Sequence, residues 1–263
     1  MPKEKVIVVG GGVGPMAGVA LHRLIIENTA TDGRDQTHLS IHHFSRSSDI
    51  GDRTEYLLGR SRENPADGMA RVFARAWRSL ASADGEALQA VAGIPCNTFH
   101  APKIFAPFLR LLDRSGIRIP VVHMLEETVS LIERERPGIR KIGLLSTTGT
   151  RESGVYYPLL ERGGARVVEV PADRQEEVQE GIYHPSWGIK AVNPVSIRAR
   201  ERMETMVRLL VDRGAECVVL GCTEIPLALT EKTLFGVPLT DPVAALARAL
   251  IREAAPEKLR PDG

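Results

Sequence analysis

The sequence has very little cysteine. Cys96, Cys217 and Cys222 are the only three in 263 residues. An odd, sparse set of thiols does not make the framework of a disulfide-stapled secreted domain, so all three are expected to be reduced. Charge of one predominant sign is also missing: 34 Lys and Arg stand against 33 Asp and Glu, a formal net charge of +1. That balance gives no electrostatic reason to expect nucleic acid or an anionic membrane as a partner. No apolar run reaches the roughly 18 residues that cross a bilayer. The opening MPKEKVIVVGGG reaches its glycines too soon for a signal-peptide core. A soluble cytoplasmic protein is expected. What is present, 43% hydrophobic and 25% charged residues, is ordinary globular composition. The length suits two domains of modest size, each with its own core.

Short β-branched runs alternate with longer amphipathic stretches, the pattern of strand, crossover helix and parallel strand. Strands are predicted at 5–10, 38–44, 87–95, 119–124, 140–146, 165–170, 216–221 and 236–240. Segment 67–85 sets Met69, Val72, Phe73, Ala76, Trp77 and Leu80 on one helical face, with Gly85 as its stop, and 197–214 reads as a second helix closed by Gly214. The two halves echo each other. VIVVGGGVGPMAGVALHRLI at 6–25 and IGLLSTTGTRESGVYYPLL at 142–160 are each a buried strand, a small-residue turn and a helix. Later in each half, AVAGIPCNT and CVVLGCTEIP are strands that deliver Cys and Thr at their carboxyl ends, where ligands of open α/β sheets gather.

Gly12, Gly14 and Ala17 satisfy a dinucleotide-binding G-x-G-x-x-A pattern after a strand. The acidic residue that would hold a ribose is absent from the end of the second strand, which closes in HFSRSS, and no G-K-[ST] occurs. A tight strand-to-helix turn with Pro15 at the first helical position explains the glycines. Metal is not expected, because Cys96 and His100 have no C-x-x-C or second histidine at ligand spacing beside them.

Cys217, inside an apolar strand, reads as a small buried hydrophobe. Cys96 and Cys222 differ, being followed by Asn97 and Thr98 and by Thr223 and Glu224, poor choices for a packed core. Backbone amides of the following turn, aimed at the sulfur, would favour thiolate over thiol, as a base requires. A nucleophilic Cys96 with His100 as its base is a rival reading, although it leaves Cys222 without a role. Arg53 and Lys190 are candidates for an anionic substrate group, but spacing alone selects neither.

With these motifs in place the chain resembles the cofactor-independent Asp/Glu racemase family. The matching pieces run almost end to end: GGGVGPMA at 10–17, DQTH at 35–38, DRTEYLLG at 52–59, PCNTFHA at 95–101, GLLSTTGTRESGVY at 143–156, GIY at 181–183, GAECVVLGCTEIPL at 214–227 and PLTDP at 238–242. The resemblance implies an α/β fold of two similar domains related by a pseudo-twofold, 1–117 plus 234–263 and 118–233, each a parallel sheet flanked by helices, with one active site in the cleft between them. It implies a two-base racemase of an acidic amino acid, aspartate first, with no cofactor and with Cys96 and Cys222 as the catalytic pair. Asn97, Thr98 and Thr223 match the residues that hold the α-carboxylate and amino group, and Arg53 and Lys190 those that bind the side-chain carboxylate. A homodimer is implied as well. The chain departs from the family pattern at Phe99, where a small residue is usual, at Gly51, which replaces a proline, and at HPSW 184–187, which lengthens the segment before Lys190. Alternatives are a superfamily isomerase or decarboxylase, such as a maleate isomerase, and a non-catalytic amino-acid-binding protein.

Overall fold

The computed structural model describes residues 4–81 and 88–261, which form two compact units, one of residues 1–127 and 243–263 and the other of 128–242. The first holds a parallel sheet of β1 (Val6–Gly11), β2 (Ile41–Ser45), β3 (Ala90–Gly93) and β4 (Val121–Val122) in the order β2-β1-β3-β4. The second is built from β5 (Lys141–Ser146), β6 (Arg166–Glu169), β7 (Cys217–Gly221), β8 (Thr233–Leu234) and β9 (Val237–Thr240) in the order β6-β5-β7-β9-β8, parallel except for the β8 and β9 pair. In both sheets the first strand lies between the second and third, and a later parallel strand, β4 in one and β9 in the other, continues beyond the third. Helices supply the connections, as parallel pairing requires.

The expected domain boundaries at 117/118 and 233/234 both fall too early. Val121 and Val122 pair with Ala92 and Gly93 in the first sheet, and Leu239 and Thr240 pair with Val218 and Val219 in the second. Strand pairing holds these segments to the units on which the shorter boundaries would have closed. The predicted strands all appear with shifted or shortened ends, β1 and β2 each running one residue past the expected end to Gly11 and Ser45, and residue 87, predicted to open one, lies outside the described residues. Thr233–Leu234 was not predicted as a strand, being two residues paired through a tight return on Phe235 and Gly236.

All six residues of β1 are buried, which fits a parallel strand covered on both faces. Its first-unit core includes helix Pro65–Ser79, which turns Met69, Val72, Phe73 and Ala76 inward. This helix begins at Pro65, which with Asp67 suits a helix start in the sequence; Asn64 accepts from the Ala66 amide at 3.0 Å and Pro65 takes the first helical position. It ends at Ser79, and Gly85, the expected stop, lies outside the described residues. Phe73 and Phe99 each meet Phe108 edge-on, at 4.9 and 5.4 Å, so the unusual Phe99 belongs to the core. In the second unit, helix Ile197–Asp212 buries Met203, Met206, Val207 and Leu210 and is capped by Ser196, which accepts from the Ala199 amide at 3.1 Å.

Gly12 shows why the turn after β1 needs glycine. Its φ is +90°, and a Cβ there would stand 2.7 Å from the Arg46 amide nitrogen. Gly12→Ala therefore combines left-handed strain with a backbone clash, and is expected to lower stability by about 2–4 kcal/mol, read as an earlier urea midpoint at unchanged slope. The close backbone approach is to Arg46 and Ser47, which is the structural use of the turn anticipated from the sequence.

Candidate active site

Each sheet delivers a cysteine just beyond the carboxyl end of its third strand. Cys96 follows β3 by three residues and Cys222 follows β7 directly. Cys217 lies within β7, fully buried, and burial pushes its thiol up to about 11; it is a packing residue.

In the first unit Cys96, Asn97, Thr98 and His100 are all buried and run into a single 3-10 turn, Thr98–His100. Helix Arg53–Leu57 packs against this turn. The helix is capped by Asp52, which accepts from the Glu55 amide at 2.9 Å, and it opens with half-buried Arg53, whose Nη1 donates to the Gly51 carbonyl at 3.3 Å. The fold thus brings the Arg53 helix to the Cys96 turn.

His100 is a brace for that turn. The Cys96 carbonyl can only accept, so His100 Nδ1–H is the donor at 2.9 Å, and Nε2 accepts from the Met124 amide at 3.3 Å. Both ring nitrogens are used on backbone, which leaves neither to take the Cys96 thiol proton. The Cys–His nucleophile reading fails on this geometry. Burial, with His123 close by, holds the imidazole neutral down to about 3. An unfolded histidine takes its proton near 6.5, so the group supports folding above that value and the support is lost as pH falls from about 6.5 toward 3. Stability should decline across this window by up to about 1.4 kcal/mol per pH unit from this group. Urea titrations at stepped pH should show a shallower decline for His100→Asn.

In the second unit four groups converge. Cys222 Sγ–H donates to Glu224 Oε2 at 3.1 Å, the Thr223 hydroxyl donates to the same oxygen at 3.3 Å, and Lys190 Nζ donates to Glu224 Oε1 at 2.6 Å. Lys190 reaches this point because the 184–187 segment folds back. The Gly188 amide bonds the His184 carbonyl, and the Ile189 and Lys190 amides bond Gly181 and Ile182. His184 stacks on Trp187 with ring centroids 4.7 Å apart. The expectation of a depressed thiol is overturned at Cys222. Burial first, then the Glu224 charge, pushes it well up, and the opposing pull of Lys190 and of the Glu224 amide is outweighed. In the sequence Glu224 stands out only as a polar neighbour of Cys222. Its one signal there is its place between a Cys-Thr pair and the apolar run IPLAL, a weak one because a glutamate is usually solvated.

Among the described residues no group of three or more His, Cys, Asp and Glu could hold a metal ion, and no helix is long and apolar enough to cross a membrane.

The strand order of the two sheets, with a cysteine and a polar turn at corresponding strand ends, defines an α/β protein of two similarly wound units. The Asp/Glu/Hydantoin racemase profile matches residues 11–250, and the chain belongs to that family. Its backbone resembles the aspartate racemase of Picrophilus torridus, with a TM-score of 0.75 and 25% identity over 95% of this chain and 94% of that one. It also resembles an aspartate racemase homologue of Pyrococcus horikoshii OT3, at 0.67 and 21% over 96% and 99%; at that identity the likeness is one of fold. In sequence it is 27% identical to a glutamate racemase of Pseudomonas paraeruginosa over 65% of this chain and 60% of that protein. The chain spans about half to three-fifths of the length of the first curated relatives it matches.

Proposed function

We propose that the protein racemises an acidic amino acid, aspartate in preference to glutamate, without a cofactor, and that Cys96 and Cys222 are its two bases. The observation that carries this reading is the repetition itself. A cysteine with hydroxyl or amide neighbours stands past the third strand of each sheet, and inversion at an α-carbon needs one proton-transfer group on each face. Family membership supports the class of reaction. Preference for aspartate is supported by the likeness to the Picrophilus torridus aspartate racemase, with a TM-score of 0.75 at 25% identity over 95% of this chain.

In this mechanism one thiolate removes the α-proton while the other cysteine, as thiol, delivers a proton to the opposite face. An α-proton beside a carboxylate is very weakly acidic. The developing enediolate is stabilised by preorganised donors, Asn97, Thr98, Thr223 and backbone amides, placed where the charge appears. Arg53 and Lys190 hold the side-chain carboxylate. Burial and the Glu224 carboxylate favour the thiol form at Cys222.

Chiral chromatography of L- and D-aspartate and L- and D-glutamate incubated with the reduced protein tests the reading. Conversion of either aspartate enantiomer to a 1:1 mixture, faster than glutamate, is the expected result. Inertness toward both amino acids contradicts it.

A further inference from the structure

Helix Gln175–Tyr183 and helix Ile197–Asp212 pack together, yet the chain takes residues 184–196 to pass from one to the other. Packed helices are usually joined by about 2–8 residues, and a longer connection without secondary structure of its own tends to carry function. This one is organised around Trp187. Its side chain is 7% exposed and packs in the second-unit core together with Ile189. His184 stacks on the ring, and the Arg198 guanidinium lies over it with Cζ 4.2 Å from the centroid. The Trp187 carbonyl accepts from the Ser196 hydroxyl at 2.6 Å, and the same hydroxyl oxygen caps helix Ile197–Asp212. The indole Nε1–H is buried without an acceptor among the described residues, so stacking and packing hold the ring in place.

What the ring fixes is the base of Lys190. Directly after Trp187 the chain reverses at Gly188, where a Cβ would stand 2.5 Å from the His184 amide nitrogen. The reversal delivers the Ile189 and Lys190 amides to the Gly181 and Ile182 carbonyls, each at 3.0 Å. A lysine is a point charge on a flexible stem. Where its ammonium stands depends on its backbone and on the groups that flank the head, here Glu224 at 2.6 Å and the Tyr183 ring at 5.3 Å. Aspartate and glutamate carry the same carboxylate one methylene apart, so the position of the cation and not its charge separates them. We propose that Trp187 is a specificity-determining positioning residue. By pinning the 184–190 segment it sets the reach of Lys190 to the shorter acidic side chain and keeps the lysine from following the carboxylate of the longer one. The proposal deepens the racemase reading and rests on Lys190 binding the side-chain carboxylate.

The test compares Trp187→Ala, Trp187→Phe and Lys190→Met with the double variant that joins Trp187→Ala to Lys190→Met. Without substrate, hydrogen exchange followed by NMR should show the Ile189 and Lys190 amides exchanging at least about tenfold faster in Trp187→Ala. Trp187→Phe should stay near the wild type, because no indole hydrogen bond is lost. In turnover, Trp187→Ala should raise KM for aspartate with kcat within about threefold. The preference in kcat/KM for aspartate over glutamate should fall by about tenfold, the low end of what one methylene is worth in a binding site, and phenylalanine should restore it. On top of Lys190→Met, Trp187→Ala should change KM little further, since residues that act through one another are not additive. A general loss of structure does not spare kcat, yield to phenylalanine and vanish with the lysine. If Trp187→Ala does not fold, Arg198→Ala, which removes an exposed side chain from the ring, should give smaller changes of the same sign. A wild type that racemises aspartate while Trp187→Ala leaves KM and the preference unchanged, or raises KM equally with and without Lys190, overturns the proposal alone. A wild type that turns over neither acidic amino acid, with exchange at 189 and 190 still quickened by Trp187→Ala, overturns the reading it rests on and the specificity role with it.

Discussion

Cys96→Ala and Cys222→Ala are each expected to abolish interconversion of the aspartate enantiomers, with loss of about 10³-fold or more in kcat/KM in both directions. Inversion needs a proton removed from one face and delivered to the other, and members of a unit that act together are not partly replaceable. The residual chemistry should differ from the lost chemistry. In Cys222→Ala, Cys96 can still abstract and return a proton on its own face, giving solvent exchange at the α-carbon without inversion. Its substrate is the enantiomer that presents its α-proton to Cys96, and Cys96→Ala should exchange the opposite one. Cys217→Ala is the control: it sits within β7, fully buried, and should cost about 1 kcal/mol of stability through lost packing while turnover is retained.

Arg53→Ala is expected to raise KM for aspartate by about two orders of magnitude while leaving the fold intact. Arg53 opens a short helix capped by Asp52 and packed on the turn that carries Asn97 and Thr98. Its guanidinium offers the bidentate geometry that suits a carboxylate. Truncating one partner of a hydrogen-bonded charge pair costs about 2–5 kcal/mol, which corresponds to this range of affinity. Arg53→Lys keeps the charge but loses the fork, so it should recover part of the loss. Initial-rate measurements over substrate concentration separate KM from kcat. A fall confined to kcat would assign Arg53 to the chemistry rather than to side-chain binding.

Much of this fold is legible in the sequence because parallel strands buried on both faces must be apolar along their whole length. VIVVGG, KIGLLS and CVVLG therefore stand out whatever surrounds them. The unit to which residues 121–122 and 237–240 belong is not legible, because membership is settled by which strand they hydrogen-bond and no local pattern records that choice. The site divides in the same way. Cys96 and Cys222 announce themselves by position, as reactive side chains ending apolar runs. Glu224 and His100 do not, since a glutamate or histidine in sequence is usually solvated. Their significance comes from partners 34 and 24 residues away, Lys190 and Met124. The state of the Cys222 thiol is hidden from the sequence for a related reason. The Glu224 amide does approach the sulfur, but burial and the neighbouring carboxylate outweigh it.

The most direct test of two-base catalysis is to incubate the reduced wild-type protein with each aspartate enantiomer in deuterated water without added cofactor. NMR then follows loss of the α-proton while chiral chromatography follows inversion. Inversion in both directions, with the product enantiomer deuterated at the α-carbon from its first appearance and the remaining substrate still largely protonated, is the predicted result. It reports separate groups removing and delivering the proton. Rapid deuteration of the remaining substrate ahead of inversion would report a single group working one face and contradict the assignment of the two cysteines. Absence of any exchange would contradict aspartate as the substrate.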